Sequence, residues 1–217
     1  RYESDPKKDG AFMPEQDAPQ IYLVTPPEID LGSFPDTLAK VLDRVEVACL
    51  RLSLASHDED VLIRAADAVR EVAHVRDIAT VIDTHVVLAE RLGLDGVHLS
   101  GSRGVRAARK TLGTDAIVGC HCGQSTHDGM SAGEAGADYV AFGPVVETGL
   151  GDGAVAERDL FQWWSEMIEV PVVAEGGLTV EKIAELAPFT DFFGIGPEIW
   201  REDDPAAALE RLRAAMV

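Results

Sequence analysis

The stretch VPVVAEGGLTVEKIAELA (170–187) passes from an aliphatic run through a glutamate and two glycines into an amphipathic pattern. Aliphatic and β-branched residues bounded by a turn signal read as a buried strand. Apolar positions recurring at helical spacing behind a threonine read as a capped helix. The same strand-then-helix unit recurs along the chain. IYLVT (21–25) precedes a predicted helix over 34–44, and VEVACLRL (45–52) precedes one over 58–74. IATVID (78–83) leads into THVVLAERLG, DGVHLS (95–100) into GVRAARKTLG, and AIVGC (116–120) into a helix over 125–135. ADYVAFG (137–143) precedes a helix over 159–168, and DFFGIG (191–196) leads into DPAAALERLRAAM. Strands without polar alternation, separated by helices, indicate a parallel sheet covered on both faces. Eight such units predict a closed (β/α)8 TIM barrel in the α/β class, the competing arrangement being an open doubly wound sheet.

The composition fits one domain. The 217 residues are 46% hydrophobic and 26% charged, enough apolar material for a single large core over residues 20–217. Residues 1–19, rich in Pro, Asp, Glu and Lys, read as a flexible N-terminal arm. A formal charge of −19 argues against nucleic acid as a partner, because phosphate backbones need clustered Lys and Arg. No apolar run approaches the roughly 18–20 residues that cross a bilayer, and none near the start is of signal-peptide type. The three cysteines, Cys49, Cys120 and Cys122, do not make a disulfide framework and agree with a reducing compartment. The expectation is a soluble, cytoplasmic protein with no membrane partner.

In a (β/α)8 barrel the site lies at the C-terminal ends of the strands, and phosphate is often held by the loops after the seventh and eighth. Here those loops carry Gly176 and Gly177, and Gly194, Ile195 and Gly196. Glycine lets backbone N–H groups approach an anion closely, the alternative being a tight turn and nothing more. These residues are the expected phosphate-binding loops.

YLVT (22–25), DGVHL (95–99), GADYVAFGPVVET (136–148) and PVVAEGG (171–177), in that order, resemble thiamine phosphate synthase and its thiazole tautomerase relatives. The resemblance spans nearly the whole chain from Ile21. It implies a barrel that joins hydroxymethylpyrimidine diphosphate to thiazole phosphate, with Mg2+ and release of pyrophosphate, the thiazole phosphate lying on the glycine loops. Such chemistry needs cations and a metal to stabilise departing negative charge, and little proton transfer.

Matched residue by residue, the resemblance is uneven. The family's Gln-x-Arg-x-Lys falls on Cys49, Arg51 and Ser53, which keeps the arginine. Its Asn-Asp at the third strand falls on Ile82 and Asp83; this makes Asp83 the implied magnesium ligand, with capping of the next helix as the alternative. A second metal-ligand position is occupied by Arg103, a guanidinium able to grip phosphate in place of a metal. The serine after the fifth strand becomes His121, a polar group at the barrel mouth suited to hydrogen bonding or acid-base work. The Thr-Pro-Thr-Lys loop becomes Thr148, Gly149, Leu150 and Gly151, keeping Thr148 as a phosphate or pyrimidine contact and losing the lysine. The five lysines, Lys7, Lys8, Lys40, Lys110 and Lys182, lie in the arm or in predicted helices and not at strand ends.

Other residues have plainer readings. His98 is expected to be a satisfied histidine of the barrel interior. Cys120, Cys122 and His127 evoke zinc, but the usual Cys-x2-Cys spacing is missing and alternation turns His121 away from the two thiols. Of Trp163 and Trp164 one should enter the core, and an exposed partner would mark a subunit contact in a homo-oligomer. Three functions stand open: the synthase, a tautomerase-like isomerase needing a catalytic histidine, and a catalytically silent binder of phosphorylated ligands.

Overall fold

The computed structural model describes residues 18–149 and 152–217. The expected arm and the loop residues Leu150 and Gly151 therefore fall mostly or wholly outside the described residues. The strands are β1 (Gln20–Val24), β2 (Cys49–Leu52), β3 (Ala79–Asp83), β4 (Gly96–Leu99), β5 (Ile117–His121), β6 (Tyr139–Phe142), β7 (Val172–Glu175) and β8 (Phe192–Ile195). Each pairs in parallel with its sequence neighbours, and β1 pairs with β8, which closes the barrel in the order β1 to β8. The closed arrangement, not the open sheet, is the fold.

The outer layer is α1 (Phe34–Arg44), α2 (Glu59–His74), α3 (Val86–Leu92), α4 (Val105–Leu112), α5 (Thr126–Glu134), α6 (Arg158–Met167), α7 (Val180–Leu186), α8 (Pro197–Trp200) and α9 (Pro205–Ala214). Short polar side chains start several of them. Asp58, Ser125, Thr179 and Asp204 each accept a backbone N–H of the first turn at 3.0–3.1 Å, satisfying donors that the helix itself leaves open. α8, a single turn between β8 and α9, is absent from the sequence reading; its Pro at the first position fixes the helical φ. The predicted strand over 45–52 is shorter than expected because Val45 ends α1 instead, its N–H bonded to the Val41 carbonyl.

Residues of one parity face inward along every strand. Ile21, Leu23, Leu50, Ile82, Val97, Val140, Phe142, Phe193 and Ile195 pack outward against the helices, while Tyr22, Val24, Cys49, Val81, Ile117, Tyr139, Ala141, Val173 and Phe192 fill the barrel. Both faces are apolar, which is why the strands show no alternation. Glycines make room for the larger fillers: a Cβ on Gly119 would lie 1.9 Å from the Tyr139 ring, and one on Gly194 would lie 2.9 Å from the Glu175 Cβ.

Three aspartates repeat one device at the base of the barrel. Asp95, Asp138 and Asp191, each just before an even-numbered strand, accept the backbone N–H of Thr80, Val118 and Val172 at 2.7, 2.8 and 2.9 Å. A carboxylate thus clips each of these strands to the start of the preceding odd one. Trp164 is buried with its indole N–H on the Val170 carbonyl, and Trp163 is 39% exposed, the division expected of the pair. Among the described residues no helix is long and apolar enough to cross a membrane.

Candidate active site

A pocket of about 630 Å3 opens at the C-terminal ends of the strands. Arg51, His121, Thr148, Gly176, Gly177, Gly194 and Gly196 of the sequence-derived set line it, together with Glu175, Glu198 and Arg201. A second groove of similar size, walled by Pro27–Leu31, Leu54–Ser56 and α2, lies outside the barrel mouth and holds none of these residues.

The chemistry is centred on Arg51. Its Nη1 donates to Glu175 Oε2 at 3.1 Å and to His98 Nε2 at 2.9 Å, and its Nε lies 3.3 Å from Asp83 Oδ1. The last contact is a charge pair without hydrogen-bond alignment, since neither atom has a bonded partner. Burial alone would raise the Glu175 carboxyl, but the Arg51 guanidinium and the His121 N–H outweigh it and hold Glu175 far below the usual carboxylate range. Burial likewise opposes the charge on Arg51, but Glu175, Tyr22 and Asp83 together outweigh it, so the guanidinium stays protonated.

Because arginine only donates, His98 Nε2 is the bare nitrogen and Nδ1 carries the proton, donated to Tyr139 Oη at 2.8 Å. The Tyr139 hydroxyl then bonds to that of Tyr22. Burial, with Arg51 beside it, pushes the His98 imidazole well below its ordinary 6.5, so it is neutral. His98 is the satisfied interior histidine expected from sequence, and with the two tyrosines it floors the pocket.

His121 ends β5 on the inward parity, and its Nδ1 bonds Glu175 Oε1 at 3.0 Å. With Nδ1–H donated, Nε2 is left as an acceptor on the pocket side; the side chain is 37% exposed. A carboxylate that orients an imidazole in this way is the arrangement that proton transfer requires.

The glycine loops are tight and close to other backbone. Gly176 and Gly177 have φ of 88° and 85°, and the Gly176 carbonyl accepts the Val145 N–H at 2.9 Å. A Cβ at Gly176 would meet Pro144 Cα at 2.7 Å. The turn and the pocket wall are thus the same residues. Gly194 and Gly196 line the opposite part of this wall, whereas Ile195, the last residue of β8, turns its fully buried side chain to the helix side and is not among the pocket-lining residues.

Asp83 and Arg103 behave differently from the rest. Asp83 does not cap α3: His85 holds the N-cap position, and the Asp83 carbonyl, not its carboxylate, accepts the His85 N–H. Its carboxylate faces Arg51 instead. Its buried Oδ1 is taken up by that pairing and Asp83 is not among the pocket-lining residues, so what it can offer magnesium is its other oxygen, to an ion held mainly by water and substrate oxygens and not caged by protein. Arg103 is exposed in the single turn Ser102–Gly104 after β4 and is not among the pocket-lining residues.

The Cys120 and Cys122 thiols are 3.7 Å apart and gather with Asp128, which accepts from Ser102, and not with His127. They lie on the helix side of β5, and His121 points away from them into the barrel, as alternation requires.

Sequence reasoning passed over Glu175, Glu198, Tyr22, Tyr139 and Arg201. Glu175 had a signal: it shares parity with Val173 at a strand end, two residues from an inward-facing apolar position. Glu198 and Arg201 sit in or beside the unpredicted turn α8.

Comparison with known proteins adds the family context. The profile of the thiamine monophosphate synthase family matches residues 21–190. A thiamine-phosphate synthase of Rhodospirillum centenum is 40% identical over 201 residues, covering 91% of this chain and 97% of that protein. One from Hyphomonas neptunium is 38% identical over 204 residues, covering 90% and 92%. Among solved structures, a thiamine phosphate pyrophosphorylase from Pyrococcus furiosus superposes with a TM-score of 0.79 at 18% identity, covering 98% of both chains, which shows the common fold.

Proposed function

On the premise that this chain belongs to the thiamine monophosphate synthase family, we propose that it is a transferase that joins hydroxymethylpyrimidine diphosphate to thiazole phosphate and releases pyrophosphate. The observation that carries this reading is the pocket itself. Gly176, Gly177, Gly194 and Gly196 form one wall, and the buried, permanently charged Arg51 forms the floor beneath it.

In this proposal the thiazole phosphate lies against the two glycine loops, with the Ile195 backbone as part of the second and Thr148 at the rim. The pyrimidine's exocyclic carbon loses pyrophosphate, and the resulting cation is captured by the thiazole ring nitrogen, so the negative charge leaves with the pyrophosphate. The protein's part is to orient the two rings and to stabilise that charge. Arg51 would direct a fixed positive charge at the departing pyrophosphate oxygens, tempered by Glu175 and Asp83 so that the cation formed on the pyrimidine is not opposed. Arg103, exposed after β4 and not lining the pocket, stands where the family's second metal ligand is expected and would meet the diphosphate end only of a substrate that reaches past the pocket rim. Asp83 would hold magnesium, which when bound neutralises pyrophosphate oxygens. The three free cysteines agree with a reducing compartment and support a cytoplasmic protein. Trp163 is the proposed contact of a homo-oligomer, testable by sedimentation of Trp163→Glu.

The deciding experiment incubates the purified protein with hydroxymethylpyrimidine diphosphate, thiazole phosphate and Mg2+ and reads thiamine phosphate by mass. Product at enzymatic rate supports the proposal. Binding of thiazole phosphate without product returns the chain to the silent-binder reading.

The His121–Glu175 pair favours a second activity, because the synthase reaction makes little use of an oriented imidazole. A tautomerase-like isomerase would use His121 Nε2 to move a proton on a phosphorylated thiazole held in the same loops. Isomerisation abolished in His121→Ala, with phosphate binding retained, is the outcome that supports it.

A further inference from the structure

The two loops that form the glycine wall each present a backbone N–H to the same side chain. Glu198 Oε2 accepts the Gly196 N–H at 2.9 Å, and Glu198 Oε1 accepts the Leu178 N–H at 3.3 Å. One carboxylate therefore bridges the loop after β7 and the loop after β8, and all three residues line the pocket. A Cβ at position 196 would press this loop on β1, 3.1 Å from both the Val24 Cβ and its carbonyl oxygen. Two amide donors converging on two oxygens of one anion are also what a bound phosphate would use in this recess. The wall already holds an anion, and that anion belongs to the chain.

We propose that Glu198 is a built-in competitor that sets the affinity of this subsite: its carboxylate occupies the anion seat between the loops in the free protein, and a phosphorylated ligand binds there only by displacing it. This rests on the reading that the glycine loops take the phosphate of the thiazole substrate. Glu198 raises the threshold for entry. A weakly held anion leaves the carboxylate in place, whereas a ligand with further contacts across the pocket can drive it out. Arg201, which lines the same pocket and makes no ion pair among the described residues, supplies the positive charge for the incoming phosphate once the carboxylate has left. The seat thus binds every phosphate more weakly by the same factor, and only a ligand with further contacts fills it at low concentration.

The test is calorimetric titration of the full chain and its variants Glu198→Gln and Glu198→Ala with inorganic phosphate, thiazole phosphate and the uncharged thiazole alcohol. Both variants should bind inorganic phosphate and thiazole phosphate about tenfold more tightly, equivalent to about 1.4 kcal/mol, with the alcohol unchanged. In steady state the KM for thiazole phosphate should fall while that for the pyrimidine diphosphate stays constant. Equal or weaker phosphate binding in both variants would overturn the proposal, and equal tightening for the alcohol would overturn its electrostatic basis. Should Glu198→Ala not fold, Glu198→Gln removes the charge at nearly constant volume and decides alone. A wild type that makes thiamine phosphate, with variants of unchanged affinity, defeats this inference and leaves the function standing. A wild type without product, with variants that gain affinity for inorganic phosphate, does the reverse.

Discussion

Arg51 Nη1 and Glu175 Oε2 meet at 3.1 Å inside the barrel, joining β2 to β7 with side chains only 11% and 13% exposed. Each charge is tolerable there because the other is present. Removing one partner of such a pair leaves a buried charge uncompensated, which costs about 3–5 kcal/mol. Arg51→Ala is expected to lose that much in urea unfolding and to lose synthase activity, because it also releases Asp83 and His98. Glu175→Gln keeps a hydrogen-bond acceptor for Arg51 and should cost about 1–3 kcal/mol.

His121 gives a sharper separation of activities. It is on the rim and bonded, among the described residues, only to Glu175, so His121→Ala should change stability by less than about 1 kcal/mol. A transferase that needs no proton moved should keep its rate within about tenfold, whereas an isomerase relying on the imidazole should fall about 10²–10⁴-fold. Parallel assays of the one variant distinguish the two.

Acid sensitivity should begin with His98. Its folded-state pKa is depressed below the ordinary 6.5, so the unfolded chain takes up the proton first. Stability is therefore full above pH 6.5 and declines as pH falls below it, with Glu175 adding a further decline below its ordinary 4.5. The imidazole is faced by Arg51, Tyr139 and Tyr22, with Glu175 and His121 further up the pocket. A series of thermal melts should show this, and His98→Gln should flatten the slope just below pH 6.5.

Gly176→Ala tests whether the wall tolerates a side chain. The residue has φ of 88°, and its Cβ would press on Pro144 backbone at 2.7 Å. A left-handed alanine costs about 1–2 kcal/mol before any clash. Reduced melting temperature together with a raised KM for thiazole phosphate is expected.

Arg103→Ala should leave stability within about 0.5 kcal/mol, since the side chain is exposed. If it receives the diphosphate, the KM for the pyrimidine substrate rises several-fold while thiazole phosphate binding stays constant. An unchanged KM would remove Arg103 from the site.

The barrel was legible because every strand is apolar and every loop to a helix carries a turn or cap residue; the spacing of Gly176, Thr179 and Val180 suffices to set a strand end and a helix start. The same double-sided burial hid the inward register. Val173 and Ala174 look alike in sequence, yet one faces the barrel and the other the helices, so Glu175 could be assigned a direction only once its neighbours were paired. Arg51 and His121 were found because a charged or polar residue ending an apolar strand stands out. Tyr22 and Tyr139 were not, because a tyrosine in a strand reads as packing and its hydroxyl contacts span 117 residues. Glu198 was missed for a different reason: its partners are backbone groups of two loops, which no residue pattern encodes.

The run of bonds from Arg51 through His98 to Tyr139 and Tyr22 has a direction. A guanidinium cannot surrender its proton, so His98 cannot receive one from Arg51 and pass it on, nor can the tyrosines be emptied through it. The floor is a dead end for protons. Proton traffic in the pocket is thereby directed to its mouth, where His121 is the one imidazole among the described lining residues, which ties acid-base chemistry here to solvent access at that ring.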